Sequence, residues 1–174
     1  PLDKLPLALG TVLPPDIVVV EAREAREDFS PRFDARGKHY IYRIRNHPRP
    51  DPFERRYAYH EPRPLDLMAM QEAARHLKGR QDYKTFRAAG FESKTSVRTL
   101  FDCHVSRDGD IISISIRGDA FLYNMVRIVA GTLLYVGLGK LEAAELPAII
   151  QSGDRTQAGK TLGPHGLVLN RVYY

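Results

Sequence analysis

The sequence predicts an α+β fold, a mainly antiparallel sheet flanked by helices, and three observations carry that prediction. Leu100–Ser106 and Ile111–Ile116 are strand-forming runs on either side of Asp108-Gly109, a hairpin signal that makes them antiparallel neighbours. Lys38–Arg45 alternates, with Tyr40, Tyr42 and Ile44 on one face and His39, Ile41, Arg43 and Arg45 on the other. Ala120–Leu134 reads as a helix that is apolar on nearly every face, and such a helix belongs inside a core. Strands neither alternate strictly with helices nor segregate from them.

The remaining elements follow in chain order. Leu5–Leu13 is a short apolar segment stopped by Pro14-Pro15. Ile17-Val18-Val19-Val20 is a β-branched run expected to form a buried strand. Residues 21–27 are charged and 28–34 read as loop. The prolines between His47 and Pro52 require a loop. Leu65–Lys78 places Leu67, Met70, Ala73, Ala74 and Leu77 at helical spacing, with Asp66 as N-cap and Gly79 as C-cap. Asp82–Phe86 adds a helical turn, and Ala88–Thr99 is polar and basic. The apolar helix follows a Gly118-Asp119 turn, with Asp119 as its N-cap, and ends near Gly137-Leu138-Gly139. Leu141–Gln151 reads as a helix that Pro147 either kinks or enters in its first turn. Gly166–Tyr174 closes the chain as a strand.

With 174 residues the chain is long enough for one domain, 1–174, with its own core. No apolar run is long enough to span a bilayer and no secretory leader is evident, so the expected setting is cytoplasmic and away from membranes. A lone cysteine, Cys103, excludes an internal disulfide and a cysteine zinc site. The six histidines, His39, His47, His60, His76, His104 and His165, show no metal-ligand spacing, so no metal is expected. Gly159-Lys160-Thr161 lacks the upstream glycine of a phosphate loop and runs into Pro164 rather than a helix. A net charge of +5 is compatible with a nucleic-acid partner.

Arg127 is the anomaly. It sits in the middle of the apolar helix, and a guanidinium does not lose its proton, so burying it calls for an anionic partner. Tyr40 has two readings: core packing with a bonded hydroxyl, or presentation of ring and hydroxyl to a flat substrate. Two basic groups are likewise open between a solvated face and a nucleic-acid surface. One is Arg32, Arg36, Lys38, Arg43 and Arg45; the other is Lys84, Arg87, Lys94 and Arg98. Both are interleaved with rings, Phe33, Tyr40 and Phe86, as a surface for phosphates and bases would be.

Four segments in order resemble the tRNA pseudouridine synthase A family. They are Phe33-x-Ala-Arg-x-Lys-x-Tyr40-x-Tyr42-x-Ile44; Asp82-Tyr-x-x-Phe86-Arg-Ala-Ala with Lys94-Thr-x-Val-Arg98-Thr; Gly118-Asp-Ala-Phe-Leu-Tyr-Asn-Met-Val-Arg127 with Gly131-Thr-Leu; and Ala158-Gly-x-Thr161-x-x-Pro164-x-Gly166-Leu167-x-Leu. Leu13-Pro-Pro-Asp-Ile17 matches as well, while Gly10 stands where the family usually has asparagine. The resemblance implies the pseudouridine synthase fold and isomerisation of uridine to pseudouridine in the tRNA anticodon arm, without cofactor or metal. A carboxylate nucleophile does the covalent step on a base taken out of its stack. The resemblance also implies a homodimer that grips one tRNA.

Carried over by position, Tyr40 matches the active-site tyrosine that stacks on the flipped uracil. Arg127 matches the arginine paired with the catalytic aspartate, and Leu167 the apolar residue against the base. Arg32, Arg36, Lys38, Lys94 and Arg98 are the RNA-binding candidates. The family's nucleophile lies in Gly-Arg-Thr-Asp-Ala-Gly, a motif this chain does not contain. The fold is therefore expected to be incomplete: the C-terminal two-thirds of a synthase, inactive alone, with its catalytic loop upstream of Pro1. The other class of reading is a non-catalytic RNA-binding relative that kept the fold and lost the nucleophile.

Overall fold

The computed structural model describes residues 1–90 and 94–174, so residues 91–93 of the polar Ala88–Thr99 stretch lie outside the described residues. Its contacts divide the chain into two compact units, Pro1–Asp34 and Ala35–Tyr174. The first holds a 3-10 turn, Leu2–Lys4, and the short helix α1, Leu5–Gly10. Arg26 ties it together through Asp28 at 2.9 Å and Asp34 at 2.7 Å. The strand expected at Ile17–Val20 does not form: Val18 is 77% and Val20 88% exposed. Branching at Cβ suits a pleated surface, but a strand exists by pairing, and no described strand pairs with this run.

The second unit is built on a sheet of six described strands: β1 (Gly37–Asn46), β2 (Tyr59–Glu61), β3 (Gly79–Asp82), β4 (Val97–Asp108), β5 (Ile111–Gly118) and β6 (Leu167–Tyr173). Their order is β2-β1-β5-β4-β3, with β6 also running along β1. β2 pairs β1 in parallel and every other pairing is antiparallel. The α+β expectation therefore holds. The β4–β5 hairpin turns at Gly109, whose φ of +53° is one that glycine adopts without steric cost.

The helices are α2 (Leu67–His76), α3 (Met125–Gly137) and α4 (Leu146–Ser152). Ile128, Val129 and Leu133 of α3 and Met70, Ala73 and Ala74 of α2 pack with Tyr42 and Ile44 of β1 and Ile112, Ile114 and Ile116 of β5. Alternation decides which strand residues enter that core: Tyr42 and Ile44 are fully buried, while their neighbours Ile41 and Arg43 are not.

Several local expectations are refined. Asp66 caps α2 by accepting from the Ala69 N–H at 3.0 Å. That helix ends at His76, and Gly79 opens β3 at φ +109° instead of capping the helix directly. Tyr83 closes the exit of α2, its hydroxyl donating to the Leu77 carbonyl at 2.7 Å. Pro147 lies in the first turn of α4, behind a capping box between Glu142 and Glu145. Strands β2 and β3 were not foreseen, being too short to show a pattern.

The start of the Arg127 helix is a correction. It begins at Met125, not Ala120, and Asp119 is not its N-cap. The Asp119 carboxylate accepts from the Thr99 N–H at 3.0 Å and the Ala120 N–H at 2.6 Å, fastening the end of β5 to β4. Asn124 takes the N-cap position, in the left-handed region at φ 58°.

Candidate active site

Tyr40 of β1, Arg127 of α3 and Leu167 of β6 line one cleft of about 110 Å³, with Phe121, Leu122, Asn124, Met125 and Val126. The fold brings them together by register and by one loop. Tyr40 and Leu169 are cross-strand partners, as are Tyr42 and Leu167, so the start of β6 lies against the middle of β1. α3 then closes the cleft from the helical side.

Tyr40 is half-buried. Its ring meets Phe121 edge to face, centroids 5.0 Å apart and planes 83° apart. Burial raises the pKa of its phenol, so the hydroxyl keeps its proton at neutral pH and can donate one hydrogen bond. Tyr42, two residues on, belongs to the core. Its hydroxyl donates to the Gly163 carbonyl at 2.6 Å, and burial raises its pKa as well.

Arg127 is only partly buried, and two neutral acceptors hold it: Nε donates to the Leu162 carbonyl at 2.7 Å and Nη1 to Asn124 Oδ1 at 2.8 Å. Among the described residues no carboxylate pairs with it, and no acidic side chain lines the cleft. The bonds to Leu162 and Asn124 engage Nε and Nη1, and among the described residues Nη2 makes no hydrogen bond. A guanidinium carries five N–H donors, so this one retains capacity for an anion. Asn124 was missed in the sequence. Its signal is that asparagine is among the non-glycine residues that tolerate αL and can cap a helix there.

The loop at 158–162 is locked onto α3. The Leu162 N–H donates to the Arg127 carbonyl at 3.3 Å. The Thr132 hydroxyl donates to the Ile128 carbonyl and accepts from the Gly159 N–H, both at 2.9 Å. A Cβ on Gly131 would collide with the Lys160 carbonyl, and one on Gly159 with the Gly131 backbone. Gly131-Thr132 and Gly159 are thus packing residues that set where the Arg127 acceptors stand. Gly166 has a similar place against β1, where a Cβ would meet the Arg43 carbonyl at 2.6 Å.

The basic candidates are not in the cleft. Arg36 and Lys94 are exposed and Lys38 is partly buried, and none lines it. Arg98 turns back on its own strand, Nη1 donating to the Val97 carbonyl at 2.6 Å and the Thr95 carbonyl at 2.9 Å. Arg32, in the first unit, stacks on Phe33 at 5.5 Å. Phe86, read as a ring interleaved with cations, is fully buried, so it packs the core and presents nothing to a base. No group of metal-ligating side chains occurs among the described residues, and no described helix is long and apolar enough to cross a membrane.

Comparison with known proteins bears on what this cleft does. A family model described as tRNA pseudouridine synthase matches residues 73–174. A tRNA pseudouridine synthase A of Caldicellulosiruptor saccharolyticus is 45% identical over all 174 residues, covering 71% of that protein. The protein of that name in Syntrophomonas wolfei is 48% identical over the whole chain and 70% of its own length. The one in Halalkalibacterium halodurans is 46% identical over 98% of the chain and 65% of its own length.

Proposed function

The chain belongs to the tRNA pseudouridine synthase A family, and from that premise we propose that its protein isomerises uridine to pseudouridine in the anticodon arm of tRNA. The carrying observation is the convergence of Tyr40, Arg127 and Leu167 on one cleft. In this reading the flipped uracil lies between the Tyr40 ring and the Leu167 side chain. The C1′–N1 bond breaks, the base turns, and a C1′–C5 bond forms. The C5 proton leaves to solvent and N1 gains one, so no cofactor or metal enters the balance.

Arg127 serves as the counter-charge of the nucleophilic carboxylate, keeping it ionised and oriented where little water competes. That carboxylate belongs to a segment upstream of Pro1, and the present chain is a C-terminal portion of the synthase fold that is inactive by itself. That no acidic side chain among the described residues lines the cleft supports this division. The working protein is a cytoplasmic homodimer on tRNA.

Tritium release from C5-labelled uridine in tRNA tests the reading. The full-length protein should release it and the 174-residue chain should not. Release by the short chain would move the nucleophile into this sequence. Tight tRNA binding without release by the full-length protein would leave the non-catalytic relative in its place.

A further inference from the structure

We propose that the face of the sheet opposite the Tyr40 cleft carries a second RNA contact. It would hold one unpaired nucleotide at Phe101 and Tyr173, framed by Arg36, Arg117 and Arg171. The proposal rests on the tRNA reading above and extends it to a surface which that chemistry does not use.

The site follows from the sheet. Gly37 pairs with Tyr173 at the start of β1, and alternation puts it on the face opposite Tyr40. Having no side chain, it leaves room between two rings: a Cβ there would lie 3.6 Å from Phe101 and 3.8 Å from Tyr173. The result is a cavity of about 320 Å³ lined by Arg36, Gly37, Phe101, Arg117 and Tyr173. Phe101 owes its direction to an irregularity in β4, where the register with β5 shifts between Leu100 and Asp102. Such a bulge re-aims one side chain, and this one holds a phenylalanine 46% exposed.

The charged side chains that line the cavity, Arg36 and Arg117, are of one sign. The Arg117 guanidinium lies 6.0 Å from the Phe101 centroid and that of Arg171 5.3 Å from the Tyr173 centroid. Among the described residues no Asp or Glu side chain forms a salt bridge with them or with Arg36. Asp102, the cross-strand partner of Arg117, is taken by Lys78 at 3.1 Å and His104 at 2.8 Å. Rings beside such guanidiniums suit a base with its phosphates: the rings and guanidinium planes stack, and the charges meet the backbone. A second copy of this chain docking patch to patch would set these arginines against one another, so the charge favours RNA.

The test uses the full-length protein and an unmodified tRNA transcript, with affinity measured across a salt series. Phe101→Ala should weaken binding about tenfold, as loss of one stacked base does. Phe101→Tyr should restore it. Arg117→Gln should lower the slope of log affinity on log salt by about one. Wild-type affinity and salt slope in both Phe101→Ala and Arg117→Gln would overturn the proposal, and so would a dimer-to-monomer change in sedimentation with tRNA affinity intact. If the wild type itself bound no tRNA, the failure would lie with the tRNA reading. Thermal melts of each variant confirm folding before binding is scored.

Discussion

Arg127 and Leu162 are joined twice. The Arg127 Nε donates to the Leu162 carbonyl at 2.7 Å, and the Leu162 N–H donates to the Arg127 carbonyl at 3.3 Å. One bond uses the side chain and one the backbone, so the guanidinium is aimed by a loop that is itself pinned to the same helical turn. Preorganisation of this kind is what lets a charge act on a reaction, because it need not reorient as the reaction proceeds.

Replacing Arg127 by Met should therefore reduce turnover in the full-length protein by about 100-fold or more while tRNA affinity stays nearly constant. The backbone bond to Leu162 survives the change. Single-turnover kinetics and a binding titration separate the two effects. Equal losses in rate and affinity would assign Arg127 to RNA binding.

The junction between α3 and the 158–162 loop should be sensitive in stability. Thr132→Val removes the hydroxyl that joins the Ile128 carbonyl to the Gly159 N–H, leaving the latter buried and unbonded at a cost of about 1–3 kcal/mol. Gly131→Ala should cost more, because its Cβ would strike the Lys160 carbonyl rather than a movable side chain. Urea midpoints at constant slope would register both. A neutral Gly131→Ala would mean the loop lifts off α3 freely.

Tyr40 and Tyr42 share a strand face, and their hydroxyls should separate function from stability. Tyr42→Phe removes a buried bond to the Gly163 carbonyl and should destabilise by about 1–2 kcal/mol. Tyr40→Phe removes a hydroxyl in the open cleft, so it should leave the melting temperature in place and lower the rate of C5 proton release. A melting shift for Tyr40→Phe as large as that for Tyr42→Phe would return Tyr40 to the core reading.

What the sequence revealed and what it hid divides along physical lines. The face carrying Tyr40, Tyr42 and Ile44, the Asp66 cap and the Gly109 turn were legible because each depends on neighbours in sequence. The Ile17–Val20 run was misread because propensity says nothing of a partner strand. Asp119 looked like a helix cap, yet its carboxylate bonds across to Thr99, a long-range contact that no local pattern reports. Arg127 reads in the sequence as a buried charge in need of an anion, yet it is only partly buried, and its bonds to a side-chain amide and a backbone carbonyl were invisible: a guanidinium donates to any oxygen the fold delivers. The Phe101 cavity was missed because its rings come from β4 and β6 and meet only through β1.

Glu61 supplies the last prediction, in acid stability. It is 2% exposed at the end of β2, and its carboxylate accepts from Arg63 Nε at 2.6 Å and Nη2 at 2.9 Å and from the Arg63 N–H at 3.2 Å. The Arg63 guanidinium bonds hold its pKa below the usual glutamate value of 4.5, with burial opposing them. The folded pKa being the lower, the unfolded chain binds more protons between the two values. Glu61 therefore contributes stability that is fully present above the unfolded pKa and is lost as pH falls through the folded one. Unfolding free energy should decline with acid below about pH 5, and Glu61→Gln should flatten part of that decline. Arg63→Met, which strands a buried carboxylate, should destabilise at pH 7 and recover partly as the pH is lowered toward 5. Denaturant titrations of the three proteins at a series of pH values measure this, and parallel wild-type and Glu61→Gln curves would remove Glu61 from the acid response.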